Sequence, residues 1–133
     1  MKWNQKTLKQ FSDYSCNKIL AAREGVEYFT QPYKHVVIDN FFPIELASEC
    51  LKSFPDIKDA SCWEYSNDED IEVKYRTNWQ SEFDIPDGLV EAIRILNGAP
   101  FLKAMSKIMG IKKIVSDPYF TGGGLNVTMK GGR

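Results

Sequence analysis

Ser116-Asp117-Pro118-Tyr119-Phe120-Thr121-Gly122-Gly123-Gly124-Leu125-Asn126-Val127-Thr128-Met129-Lys130-Gly131-Gly132-Arg133 is the stretch whose reading decides the fold. Asp117-Pro118 predicts a turn. Leu125, Val127 and Met129 alternate with Asn126 and Thr128, which predicts a strand over 124–130 with the polar pair on one face. Gly122-Gly123-Gly124 lacks the Gly-Lys-Ser/Thr of a phosphate loop and precedes a strand, where phosphate loops precede a helix. It reads as a tight turn or bulge. With Gly131-Gly132 on the far side, the glycines bracket a strand held close to another backbone or to a ligand.

Upstream, helices dominate. Leu8, Phe11, Ser15, Ile19 and Ala22 recur at three- and four-residue steps, predicting a surface helix over 5–22 with a thin apolar stripe. Gly25 and Pro32 interrupt, and His35-Val36-Val37-Ile38-Asp39 predicts a strand. Pro43 is placed near the first position of a second helix, whose apolar face is Leu46, Ala47, Cys50, Leu51 and Phe54 and which Pro55 stops. Residues 72–76 alternate as a half-buried strand. Asp84 and Pro86 open a third helix with Leu89, Val90, Ile93 and Leu96 inward. A fourth runs from Pro100 to Met109 and is capped by Gly110, and Lys112 to Val115 predicts a short strand. Helices cluster in the first hundred residues and a sheet begins at the end, so the fold class is α+β rather than regularly wound βαβ.

A chain of 133 residues fits one domain, and 43% hydrophobic with 26% charged residues reads as globular. The formal net charge of −1 gives no global argument for nucleic acid or for a polybasic membrane anchor. The N-terminus is polar and no run of about 18 apolar residues follows, so neither a signal peptide nor a membrane span is expected and the cytoplasm is the default. Charge is nonetheless segregated. Between Asp56 and Glu72 seven acids face one base, Lys58; between Lys103 and Arg133 six bases face one acid, Asp117. These read as a solvated acidic loop and a solvated basic face, or the basic end helps hold an anionic ligand.

Candidate chemistry is sparse. Cys16, Cys50 and Cys62 are odd in number and widely spaced, which predicts buried free thiols rather than a disulfide framework or a zinc knuckle. His35 is the single histidine, so the chain cannot build a multi-histidine metal centre alone; it reads as a packed or surface residue. Asp68-Glu69-Asp70 lacks the glycine and bidentate acid of a calcium loop and reads as an exposed loop.

Segment 116–133 resembles a stretch of the prolyl 4-hydroxylase-like iron(II)/2-oxoglutarate oxygenases, in which D-P-x-x-x-G-G-G-L-x-x-T-x-x-G-G leads into an iron-binding H-x-D. Tyr33-Lys34-His35-Val36-Val37-Ile38-Asp39-Asn40-Phe41-Phe42-Pro43 is similar to that family's strand-to-helix entry. Asn97-Gly98-Ala99-Pro100-Phe101-Leu102 with Met109-Gly110-Ile111 is similar to one of its helices. The likeness runs in order over about residues 30–133. It implies a double-stranded β-helix of jelly-roll type, with residues 1–30 a helical extension and 31–133 the family-like part of a single domain. It also implies iron(II), 2-oxoglutarate and, as an accessory reductant, ascorbate. The iron is held by two histidines and a carboxylate, which in the family follow the Gly-Gly pair and which this chain lacks.

The resemblance therefore implies the N-terminal fragment of an oxygenase: a helical flank plus the first strands of a truncated jelly roll. The complete enzyme would use 2-oxoglutarate and oxygen to hydroxylate a substrate such as a prolyl residue, while this chain alone is inactive and holds no cofactor tightly. Within it, Asn126 and Thr128 are the candidates to line the co-substrate or substrate pocket, although family members often carry His at the position of Asn126. An open strand edge also predicts self-association. The alternative is a non-catalytic α+β interaction module whose sheet edge pairs with a partner strand.

Overall fold

The computed structural model describes residues 2–22 and 28–133. Gly25, read above as an interruption, lies outside them. The fold is mixed α+β, with four α-helices and two small antiparallel sheets among the described residues. It divides into two compact units, Met1–Ser53 with Asp87–Ser116, and Phe54–Pro86 with Asp117–Arg133.

The first unit is helical. Helix α1 spans Gln5–Ala22, as its periodicity predicts, but its buried face is wider than the expected stripe: Ser12 and Cys16 join Leu8, Ser15, Ile19 and Ala22 inside, and Phe11 is half-buried. Ser15 is fully buried and its hydroxyl donates to the Phe41 carbonyl at 2.8 Å, so a polar side chain enters the core without an unpaired group. A two-residue ladder follows, β1 (Tyr28–Phe29) against β2 (His35–Val36). The strand expected over 35–39 is this short, and Val37 is exposed.

Helix α2 (Ile44–Lys52) begins one residue after Pro43, which is the cap rather than the first helical residue. Leu46 is fully buried, whereas Leu51, expected on the same face, is 77% exposed. Five residues of helix rotate Leu51 by about 140° away from Leu46. Phe54, assigned to that face as well, lies beyond the end of the helix. Helix α3 (Asp87–Leu96) buries Leu89, Ala92 and Ile95 together with Glu91; Val90, Ile93 and Leu96 are only half-buried. The inward face is therefore rotated from the expected one. Glu91, with no exposed surface, accepts the Trp3 backbone N–H at 2.9 Å. Its second oxygen and the Trp3 indole N–H are buried without a protein partner. Helix α4 (Ala99–Met109) ends at Gly110, whose φ of 70° makes the expected left-handed cap. Lys112–Val115 forms no strand; there the Ile114 N–H binds the Ser106 hydroxyl.

Two clusters build the core of this unit. Leu8, Leu46, Ala92 and Ile95 pack with Trp3, Phe11, Phe42 and Cys50. Cys16, Ile19, Ala104 and Ile108 pack with Val36, Ile38, Phe41 and Phe101.

The second unit is a three-stranded antiparallel sheet in the order β3-β4-β5. Strand β3 (Trp63–Asp68) pairs along its whole length with β4 (Glu72–Thr77). Of the acidic stretch only residues 63–68 are strand; residues 56–62 are turns and irregular backbone, and Asp68-Glu69-Asp70 is the exposed loop expected, here the end of β3 and the hairpin turn after it. Trp63 and Tyr65 supply the period of two, which the intervening Glu64 and the acids after Asn67 obscure. Asp68 closes the turn by accepting the N–H groups of Asp70 at 3.0 Å and Ile71 at 3.2 Å. Asp84, expected to cap α3, instead completes a capping box with Ser81 on the 3₁₀ turn Glu82–Asp84. Strand β5 is Asn126–Val127, shorter than the expected 124–130.

Leu46→Ala and Ile108→Ala are each expected to lower the unfolding free energy by about 2–5 kcal/mol, and Leu51→Ala to change it by less than about 0.5 kcal/mol. Urea unfolding followed by circular dichroism checks all three.

Candidate functional site

The site is built on the seam between β4 and the glycine-bracketed segment. Tyr75 stands opposite Val127 and Arg76 opposite Asn126. Beside this ladder the Thr77 N–H donates to the Leu125 carbonyl at 3.0 Å, and the Leu125 N–H donates back to the Thr77 hydroxyl at 2.9 Å. Thr77 is 2% exposed, so this pair is dry and its hydroxyl is occupied. Gly124 lies against the same hydroxyl. A Cβ there would stand 2.5 Å from Thr77 Oγ1, on a backbone whose φ of 144° already excludes most side chains.

After Val127 the chain leaves the ladder. The Gly132 N–H closes a turn onto the Met129 carbonyl at 2.8 Å. The chain then returns to β4, where Val73 and Arg133 exchange both backbone hydrogen bonds, at 2.6 and 3.1 Å. A Cβ on Gly132 would meet the Val73 carbonyl at 2.5 Å. Gly124, against the Thr77 hydroxyl, and Gly132, against the Val73 carbonyl, therefore mark the two ends of a seam with a bulge between them.

Antiparallel pairing assigns the faces. Trp63, Tyr65, Val73, Tyr75, Thr77 and Val127 share one side, and Glu64, Lys74, Arg76 and Asn126 share the other. Asn126 and Thr128 are both exposed, Thr128 one residue past the paired strand. The Asn126 side chain donates weakly to the Gly124 carbonyl at 3.5 Å. The charged face carries two ion pairs, Lys74–Glu72 at 2.8 Å and Arg76–Glu64 at 3.3 Å. The lysine beside Glu72 holds its carboxyl below the usual carboxylate range. Along the bulge a cleft of about 230 Å³ is lined by Tyr65, Tyr75, Lys74, Met129 and Lys130, with the two tyrosine rings 4.7 Å apart.

Asp117 organises the approach to this seam. It accepts the N–H groups of Tyr119 at 2.9 Å and Thr121 at 2.7 Å, and these bonds hold its pKa below the usual aspartate range. The folded value lies below the unfolded one. The turn's stabilisation is therefore complete above the unfolded value and is lost only as pH falls through the lower, folded value.

The remaining reactive groups are not gathered here. His35 lies in the helical unit, its ring stacked 4.8 Å from Phe29 and its Nδ1 2.8 Å from the Tyr33 carbonyl. Cys16, Cys50 and Cys62 are free thiols; Cys16 is buried and the other two are half-buried. Desolvation is the leading cause that raises all three, which keeps them protonated and weakly nucleophilic. Among the described residues no group of three or more His, Cys, Asp or Glu could hold a metal ion. The side chains present therefore do not fit a two-histidine, one-carboxylate iron centre. Sequence reasoning missed Thr77 and Arg76; the alternation of Val73, Tyr75 and Thr77 carries the signal for the former.

No protein-family model, characterised protein or solved structure matches this chain. No helix among the described residues is long and apolar enough to cross a membrane.

Thr77→Val removes the acceptor of a buried N–H and is expected to cost about 1–3 kcal/mol; Thr77→Ser keeps the acceptor and costs less. Gly124→Ala is expected to destabilise by more than about 1 kcal/mol, and Asn126→Ala by less than about 0.5 kcal/mol. Denaturant titration with amide exchange at Leu125 distinguishes these outcomes. Acid titration by NMR is expected to show the Asp117 carboxyl still ionised where an ordinary aspartate is half-protonated, with the Tyr119 and Thr121 amides protected until it titrates.

Proposed function

We propose that this chain forms the helical flank and opening strands of an iron(II)/2-oxoglutarate-dependent oxygenase of the prolyl 4-hydroxylase-like type, its sheet continuing into a double-stranded β-helix. The complete enzyme would act in the cytoplasm, using oxygen to couple oxidative decarboxylation of 2-oxoglutarate to hydroxylation of its substrate. One observation supports the reading: the segment that resembles the family meets β4 at Leu125–Val127 and again at Arg133, and Gly124 and Gly132 sit where a side chain would collide with Thr77 or Val73. Two of the motif's five glycines, Gly124 and Gly132, thus have a packing reason on the sheet.

In this reading the iron ligands would come from residues other than those of this chain. What the chain itself contributes is a rigid wall. Asn126 lies opposite Arg76 on one face of the seam, and Thr128 follows one residue past the paired strand; both are exposed polar groups that this wall would offer to the co-substrate or substrate. Val127, opposite Tyr75, belongs to the other side.

Two measurements test the reading. The chain by itself is expected to bind iron(II) more weakly than about 10 µM by calorimetry; a tighter one-to-one site would contradict the assignment of the ligands elsewhere. When the chain is joined to the C-terminal part of a prolyl 4-hydroxylase-like enzyme, 2-oxoglutarate turnover is expected. Thr128→Val should then lower affinity or turnover roughly fivefold to a hundredfold with the fold intact. Val127→Thr should lower stability and leave affinity nearly unchanged. Turnover untouched by Thr128→Val would refute the wall assignment, and absence of any turnover or 2-oxoglutarate binding in the joined protein would refute the family.

A further inference from the structure

Strand β3 is an edge of its sheet, with β4 on one side only. Which of its backbone groups face outward follows from the far side of β4. Val73 exchanges backbone bonds with Arg133, and the Thr77 N–H binds the Leu125 carbonyl, so both residues spend these groups away from β3. In an antiparallel ladder such positions alternate. Their partners on β3, Asn67 and Trp63, and Tyr65 between them, therefore turn their own N–H and C=O groups to the open edge. Tyr65 is 54% exposed and Asn67 is exposed, while Trp63 is buried, so the accessible part of the edge is centred on Tyr65.

The side chains along this edge divide by face. Tyr65 presents an exposed ring on one side, already against Tyr75. Glu64 and Asp68 stand on the other, both exposed. We propose that the β3 edge is a strand-addition site for an extended basic segment of a partner protein, laid antiparallel to it. Such a strand carries a basic residue opposite Asp68, an aromatic or apolar residue three positions later opposite Tyr65, and a second basic residue next to that, opposite Glu64.

Charge selects this occupant over a second copy of the chain. Two β3 edges paired about Ser66 set Glu64 directly across from Asp68 twice, and every register brings together two hairpins in which Glu64, Asp68, Glu69, Asp70 and Glu72 outnumber Lys74 and Arg76. Like charges placed across strands are destabilising, and opposite charges stabilise. The acids also act as a guard against indiscriminate pairing, a role charged residues commonly have on sheet edges. The inference does not rest on the oxygenase reading.

The test uses the whole chain and a fluorescein-labelled peptide, Thr-Lys-Thr-Thr-Tyr-Lys-Thr, with binding read by anisotropy at about 50 mM salt. A dissociation constant on the order of 100 µM is expected. N-methylation of the peptide tyrosine, whose amide pairs with Tyr65, should weaken binding at least about tenfold, whereas N-methylation of the lysine that follows it, whose amide points away, should change it less than about twofold. The double change Glu64→Gln and Asp68→Asn removes both charges, Asn keeping the side-chain oxygen that closes the turn and Gln giving up only the exposed pair with Arg76; it should weaken binding about fivefold to tenfold with an unchanged circular dichroism spectrum. The proposal is overturned if the two methylated peptides bind alike, if a peptide with Glu in place of Lys binds as well, if nothing binds at about 1 mM, or if sedimentation shows a dimer that excludes the peptide.

Discussion

Helix α1 has to face two cores at once. Leu8 closes one hydrophobic cluster with α2 and α3, and Cys16 and Ile19 close the other with α4. Between them Ser15, fully buried, holds the Phe41 carbonyl. With Tyr14 donating to the Asn40 carbonyl and Lys18 to that of Asp39, it ties the segment entering α2 to the middle of α1, and Phe41 and Phe42, with rings 4.9 Å apart, then turn into different clusters. A bulkier apolar residue at Ser15 would leave that carbonyl without its donor and overfill the contact, and both effects are costly in a dry core.

The sheet unit depends on a different kind of constraint, the approach of backbone to backbone. Thr77 does two things there: its hydroxyl accepts the Leu125 N–H, and its position leaves no room for a side chain on Gly124. Glycine and threonine together set where the seam begins, and Gly132 against Val73 sets where it resumes. Between those points the chain bulges, which lets Lys130 and Met129 line a cleft with two tyrosines. The pocket-wall reading of Asn126 and Thr128 and the strand-addition reading of β3 call on opposite sides of the same three-stranded sheet.

Buried polarity in the helical unit is also organised by tertiary contacts. Glu91 sits on a helix face that composition alone would make the outside, because it flanks Leu89 and Ala92 rather than falling on an apolar repeat. Its place inside comes from the Trp3 N–H, donated from a segment 88 residues away. No local pattern around Glu91 announces that donor.

What the sequence by itself determined is whatever a local rule decides. Periodicity places α1 at Gln5–Ala22, and Gly110 ends α4 because a left-handed cap needs no partner elsewhere. Alternation places β4, and it sets Asn126 opposite in sense to Val127. The tertiary structure decided the rest. It chose which side of α3 faces inward, since Val90 and Leu89 are equally apolar and only neighbours distinguish them. It left Leu51 in solvent, and it cut the final strand to Asn126–Val127 because β4 offers partners only where Gly124 and Gly132 allow contact. It also made residues 63–68 of the acidic stretch an edge strand, because the ladder to β4 outweighs the charge of Glu64 and Asp68.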